Sequence, residues 1–160
     1  MASVFGDTTL RRKNGETVPA ADALKGKTVA VLFSAHWCPP CRAFTPALKV
    51  PNFPLYVHID ETFSQDFYDE LRKENAAFEV VFVSLDRSMG DMMNYIAEAH
   101  GDWLHLQFQS PLIQKLSTQF GVSGIPTLVI LRPDGTVVTK NGRSDVESKA
   151  PSAVLEGWQK

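Results

Sequence analysis

Cysteine is scarce in this chain: of 160 residues, only Cys38 and Cys41 carry a thiol. Two cysteines cannot make the multi-bridge framework of a small secreted domain, and a chain of this length can bury a core without such staples. An excess of charge of one sign is also missing. The 16 basic and 18 acidic residues leave a net charge of −2, which gives no electrostatic case for a nucleic-acid or membrane surface. The cluster Arg11-Arg12-Lys13 is short and reads as the solvated edge of a hairpin. Long apolar runs are absent too. The longest, Val29 to Phe33, is far too short to span a bilayer. Residues 1–14 contain no apolar segment of the kind a secretory signal needs. No internal repeat or low-complexity tract is present. These absences lead to the expectation of one domain over residues 1–160, monomeric and held in a reducing compartment, the cytosol or the nucleus.

What is present is an ordinary globular balance, 44% hydrophobic and 21% charged, with readable punctuation. Leu10 and Val18 flank Asn14-Gly15, two residues that tolerate positive φ, so a β-hairpin is expected at the N-terminus. Thr28 to Phe33 is a β-branched apolar run, as a doubly covered central strand would be. It leads straight into His36-Trp37-Cys38-Pro39-Pro40-Cys41-Arg42. A helix is expected from Pro39, because proline suits a first helical turn, with Pro46 kinking it. Val50-Pro51 and Phe53-Pro54 stop that helix. Residues 55–59 are weakly strand-like, and a second helix is expected over about 63–75. Residues 78–85 read as another apolar strand. Met89, Met92, Met93, Ile96 and Ala97 form a helical stripe, read as core packing. Ile113, Leu116 and Phe120 mark a short helix. Thr127–Leu131 and Thr136–Thr139 read as strands joined at Asp134-Gly135. A last helix is expected from Asp145 to Trp158, interrupted at Pro151. The early alternation of strand and helix argues for parallel units, and the late hairpin adds antiparallel strands. The expected class is α/β, with helices on both faces of a mixed sheet.

The chemistry concentrates at the cysteine pair. A thiolate is the nucleophile of disulfide exchange, and a helix N-terminus stabilises a thiolate through its unpaired N–H groups and dipole. Cys38 sits just before the expected helix and Cys41 one turn in. Cys38 is therefore the candidate attacking thiol and Cys41 the candidate resolving one. Trp37 would shield one side and offer a flat apolar contact. Pro39 and Pro40 stiffen the loop between the sulfurs, and Arg42 adds positive charge. Three alternatives compete. The pair could be half a zinc site, although among His36, His58, His100 and His105 only the last two have ligand-like spacing. It could be buried and inert. It could belong to a binding scaffold whose cysteines no longer turn over.

Phe33 to Arg42 resembles the active-site segment of the nucleoredoxin and tryparedoxin branch of the thioredoxin superfamily. Phe44-Thr45-Pro46, Phe78 to Ser84, Gly124-Ile125-Pro126-Thr127-Leu128 and Pro133-Asp134-Gly135 continue the match. The N-terminal hairpin and Asn141-Gly142-Arg143 resemble nucleoredoxin-like proteins in particular. The resemblance implies a thioredoxin-like fold and dithiol–disulfide exchange, with no metal, no bound organic cofactor and an external reductant. It also implies that Ile125-Pro126 is cis and lies against the cysteine pair, its backbone placed to pair with an extended substrate segment. Two departures stand out. The buried carboxylate that many thioredoxins carry six residues before the first cysteine is replaced by Leu32. Asp86 is the candidate proton acceptor in its stead, or else a turn cap with Arg87. Residues 50–66 read as an insertion in what relatives run as one long helix. The first functional reading is a protein-disulfide reductase acting on protein disulfides and reset by an upstream reductase or a small dithiol. The alternative is a redox-sensitive binding module with little turnover. A peroxidase is a poor third, since nothing outside the pair resembles a separate peroxidatic site.

Overall fold

A computed structural model describes residues 1–49, 68, 77–149 and 151–160. In chain order these form α1 (Ala2–Phe5), β1 (Thr9–Arg12), β2 (Thr17–Pro19), α2 (Ala20–Ala23), β3 (Thr28–Ser34) and α3 (Pro39–Lys49). Then come β4 (Phe78–Ser84), α4 (Met89–Ala99), β5 (Leu104–His105), α5 (Pro111–Phe120), β6 (Thr127–Leu131), β7 (Val137–Thr139), α6 (Gly142–Ser148) and α7 (Pro151–Gln159). Tyr68 is helical and buried. The strands make one mixed sheet in the order β2-β1-β5-β4-β3-β6-β7.

β3 and β4, buried along their whole lengths, are the centre of the sheet. They run parallel with Ser34 opposite Ser84, while β6 runs antiparallel to β3 with Thr127 opposite Phe33. Side chains alternate across the sheet, as the period of a strand requires. Ala30, Leu32, Val80, Phe82, Leu128 and Ile130 meet α3, α4 and α7 on one face. Val29, Val31, Phe33, Val81, Val83 and Val129 meet α1 and α5 on the other. Both faces are therefore covered, which is why these strands read as continuous apolar runs.

The N-terminal hairpin forms as expected. Leu10 lies opposite Val18, Gly15 takes φ 89°, and Asn14 Oδ1 accepts from the Glu16 N–H at 2.9 Å. The second hairpin turns at Gly135, φ 91°, where Asp134 Oδ1 accepts from both the N–H and the hydroxyl of Thr136. α3 begins at Pro39 and contains Pro46, yet runs on to Lys49.

Some expectations change. The methionine stripe is only partly core: Met92, Ile96 and the unforeseen Tyr95 are buried, whereas Met89 and Met93 are 59% and 45% exposed. The buried stripe is rotated towards position 95, where Tyr95 fills the gap between α4 and α3. The C-terminal helix is interrupted at Pro151 as expected, giving α6 and α7 with Lys149 extended between them, but its first part begins earlier, at Gly142. α1, α2 and the two-residue β5 had no readable sequence signal. The strand-like segment 55–59, the insertion 50–66 and the helix over about 63–75 lie outside the described residues, Tyr68 excepted.

Candidate active site

The topology brings three segments together. Residues 35–38 follow β3, residues 85–88 follow its parallel neighbour β4, and residues 125–126 precede β6, which pairs with β3 on the other side. The carboxyl ends of parallel strands are where α/β sheets place their sites. Cys38 and Cys41 are joined by a disulfide with a Cα–Cα distance of 5.2 Å. Ala35, Leu85 and Ile125 pack around the pair.

The two sulfurs are not equivalent. Cys41 is fully buried within the first turns of α3, and Cys38 is 5% exposed at the helix entrance. Pro39 and Pro40 carry no N–H. The Cys41 N–H is thus the first backbone donor in the helix, and it points to Cys38 Sγ at 3.3 Å. The helix terminus is arranged to stabilise negative charge on Cys38 rather than on Cys41.

The Ile125-Pro126 peptide bond is cis. The Ile125 carbonyl oxygen lies 3.7 Å from Cys38 Sγ. Trp37 is half exposed beside Cys38. Its Nε1–H donates to the Leu85 carbonyl at 3.0 Å, and the Arg87 guanidinium lies 5.4 Å from its ring centre. The indole is pinned at its polar end, and its face is left to solvent and Arg87.

Asp86 links β4 to the motif. One carboxylate oxygen accepts from the His36 N–H at 2.7 Å and the other from the Ser84 hydroxyl at 2.8 Å. The Ser84 oxygen in turn accepts from the Asp86 N–H. This carboxylate holds the 35–37 turn against the end of β4. Leu32, at the position of the missing carboxylate, is fully buried in the core beneath α3.

Sequence reasoning missed Tyr95. Its hydroxyl donates to the Cys41 carbonyl at 3.1 Å and is hydrogen-bonded with Ser34 Oγ at 2.8 Å and with Thr45 Oγ1. One phenol thus ties the end of β3 and two turns of α3 to α4. Burial pushes its ionisation upward, so the phenol stays protonated and able to donate. No local signal announces this role, because an aromatic residue in an amphipathic helix reads as core. His36 faces Glu98 at 3.1 Å, and its ring lies 5.6 Å from that of Tyr95. Among the described residues, no group of three or more His, Cys, Asp or Glu is placed to hold a metal ion. His100, half of the zinc-like spacing, is buried and accepts from Trp103 Nε1 through Nδ1 at 3.1 Å.

Two clefts border the site. One of about 540 Å³ is lined by Ser84, Leu85, Asp86, Phe108, Gln109 and Ile113. Another of about 310 Å³ runs from Pro126 and Thr127 to Lys140, Arg143 and Glu147.

Known proteins share this arrangement. The sequence pattern of the family described as Thioredoxin-like matches residues 26–137. Probable nucleoredoxin 1 of Arabidopsis thaliana is 38% identical over 141 residues, 88% of this chain but 21% of that protein. The chain spans about a fifth to a quarter of the first curated nucleoredoxins it matches. Tryparedoxin of Trypanosoma brucei brucei is 37% identical over 145 residues, 88% of this chain and 85% of that one. The crystal structure of thioredoxin from Wuchereria bancrofti superposes with a TM-score of 0.75 at 45% identity, covering 96% of this chain and 95% of that one. With the sheet order, the cis proline and the cysteine pair at a helix start all in place, the chain belongs to the thioredoxin-like family, on the branch of the nucleoredoxins and tryparedoxins.

Proposed function

We propose that the protein is a thiol–disulfide oxidoreductase that reduces disulfides of other proteins. The observation that carries this reading is the asymmetry of the pair: Cys38, 5% exposed at the helix entrance, receives the Cys41 N–H on its sulfur, while Cys41 is fully buried behind it. In the reduced protein, the Cys38 thiolate attacks one sulfur of a substrate disulfide. The S–S bond breaks, and the departing sulfur leaves as a thiolate that takes a proton. A mixed disulfide now joins Cys38 to the substrate. Cys41, deprotonated, attacks Cys38 Sγ, closes the Cys38–Cys41 bond and releases the second substrate thiol. Two electrons and two protons have passed to the substrate. An external dithiol or upstream reductase, oxidised in turn, restores the pair.

Trp37, Pro39, Pro40, Ile125 and Pro126 shape the surface a substrate meets. The backbone of Ile125 would hold an extended substrate segment as an added strand beside Cys38. Asp86 is the carboxylate proposed to accept the Cys41 proton. Asp86→Asn should slow release of substrate from the mixed disulfide; an unchanged rate with unchanged Cys38 titration removes that role. In this reading the protein works as a monomer in the cytosol or nucleus, with no metal or organic cofactor.

A second reading has its own support. Carcinoscorpius rotundicauda thioredoxin related protein 16, 40% identical, has a role in regulating transcription factor NF-kB activity. A redox-sensitive binding module would keep its partners without turnover. Reduction of a model protein disulfide, with dithiol present, separates the two. Activity in the wild type and none in Cys38→Ser supports the reductase. Equal activity in both contradicts it. Undiminished partner binding by a variant with both cysteines changed to serine, in a wild type with no turnover, favours the module.

A further inference from the structure

Trp37 and Arg87 form a composite surface beside the reacting sulfur. The indole is 50% exposed and fixed by its bond to Leu85, and the Arg87 guanidinium lies over its face. A guanidinium stacked on an aromatic ring keeps its N–H edges free and planar, the geometry that takes a carboxylate through two parallel bonds. No carboxylate of the chain pairs with Arg87 among the described residues. The same holds for exposed Arg42, next to Cys41 on α3, and for Lys140, which lines the cleft that starts at Pro126. The carboxylates on these elements are largely engaged. Glu98 faces His36, and Glu147 pairs with Arg143 at 3.1 Å. Asp86 is buried with both oxygens occupied. Asp91, in the first turn of α4, is the exposed exception. A chain of net charge −2 thus sets cations around its cysteine pair that have no carboxylate partner among the described residues.

We infer that Arg87, held on Trp37, is a specificity-determining residue that selects disulfides flanked by Asp or Glu, so that the preferred substrate is an acidic protein segment. This rests on the reductase reading and deepens it. A polycationic thiol would meet Arg87 and Arg42 as like charges. A substrate strand laid along Ile125 would carry its side chains next to the cystine towards one flank or the other, with Arg87 on the Trp37 flank and Lys140 on the Pro126 flank. Trp37 supplies the apolar contact and Arg87 the sign.

The test uses the full chain, limiting dithiothreitol, and two synthetic peptides with the same disulfide ring, one flanked by glutamates and one by lysines. Neutral hydroxyethyl disulfide serves as a third substrate. The expected result is a kcat/KM higher for the acidic peptide by about tenfold at low salt, the size of a few solvent-exposed charge contacts, shrinking as salt is added. Arg87→Glu should lower or reverse the ratio, and Arg87→Lys should keep its sign. Equal kcat/KM for the two peptides, or a ratio unmoved by Arg87→Glu, overturns the inference while leaving the reductase reading intact. Failure to reduce all three substrates overturns the reductase reading, and the inference with it.

Discussion

Cys38 owes its character to what its neighbours lack. With Pro39 and Pro40 unable to donate, the helix offers its first N–H from Cys41, and that N–H goes to Cys38 Sγ. The other arm of the site is held by Tyr95. Its hydroxyl serves the Cys41 carbonyl, Ser34 and Thr45 together, in surroundings sealed from water. Tyr95→Phe removes the shared group and leaves these partners without it. The expected cost is about 1–3 kcal/mol of stability, read as a lower urea midpoint with an unchanged slope. Tyr95→Phe should also change the rate at which Cys41 resolves a mixed disulfide, since that helix turn loses its anchor. A midpoint equal to wild type would show that the network carries no weight. The cysteines and Trp37 were legible because their motif is local, and the cis proline only through the family resemblance of the segment around Ile125-Pro126. Tyr95 and Arg87 were not, because their partners come from other elements and no short pattern joins them.

Among elements, the strand–helix junction after β3 sets the site, and the start of β6 closes it. β6 is held from behind by α6 at very close range. A Cβ on Gly142 would stand 2.9 Å from the Leu128 carbonyl oxygen and 2.9 Å from Ile130 Cδ1. The carbonyl is backbone and cannot yield cheaply. Gly142→Ala should therefore destabilise by about 1–3 kcal/mol, as overpacked cores do, in thermal or urea unfolding. An alanine variant as stable as wild type would mean that α6 lifts from β6 at no cost. Elements with strong periodicity or turn chemistry were legible: the two hairpins, β3, β4, α3, α5 and β6. The short ones were not. β5 has two residues, and it exists because β4 and β1 both pair with it. α1 and α2 have one turn each, too short for a hydrophobic period to register.

At the scale of the whole molecule, one sheet with both faces covered leaves polar groups in deep places. His100 accepts from Trp103 through Nδ1, so its proton sits on Nε2, which has no hydrogen-bond partner among the described residues. The imidazole lies among the rings of Phe82 and Tyr95, with centroid distances of 4.3 and 4.6 Å. Burial pushes His100 down to about 3, and burial pushes His105 down to about 4, from an ordinary 6.5. Both are neutral in the folded protein at pH values where the unfolded chain already binds protons. Stability is therefore full above about pH 6.5 and falls as pH drops towards 4, by roughly 1.4 kcal/mol per unit for each histidine. Urea unfolding at pH 7 and pH 5 should show this loss. His105→Gln should reduce the slope, and a stability flat across that range would mean that the two imidazoles do not resist protonation.

The proposed function turns on the unequal roles of two cysteines whose Cα atoms lie 5.2 Å apart. The most direct test offers an oxidised protein substrate to the reduced protein and to its Cys38→Ser and Cys41→Ser variants, with mass spectrometry of the covalent products. The predicted result is turnover by the wild type, a stable mixed disulfide through Cys38 in Cys41→Ser, and neither product nor adduct in Cys38→Ser. Adducts formed through Cys41, or turnover surviving in Cys38→Ser, would contradict it.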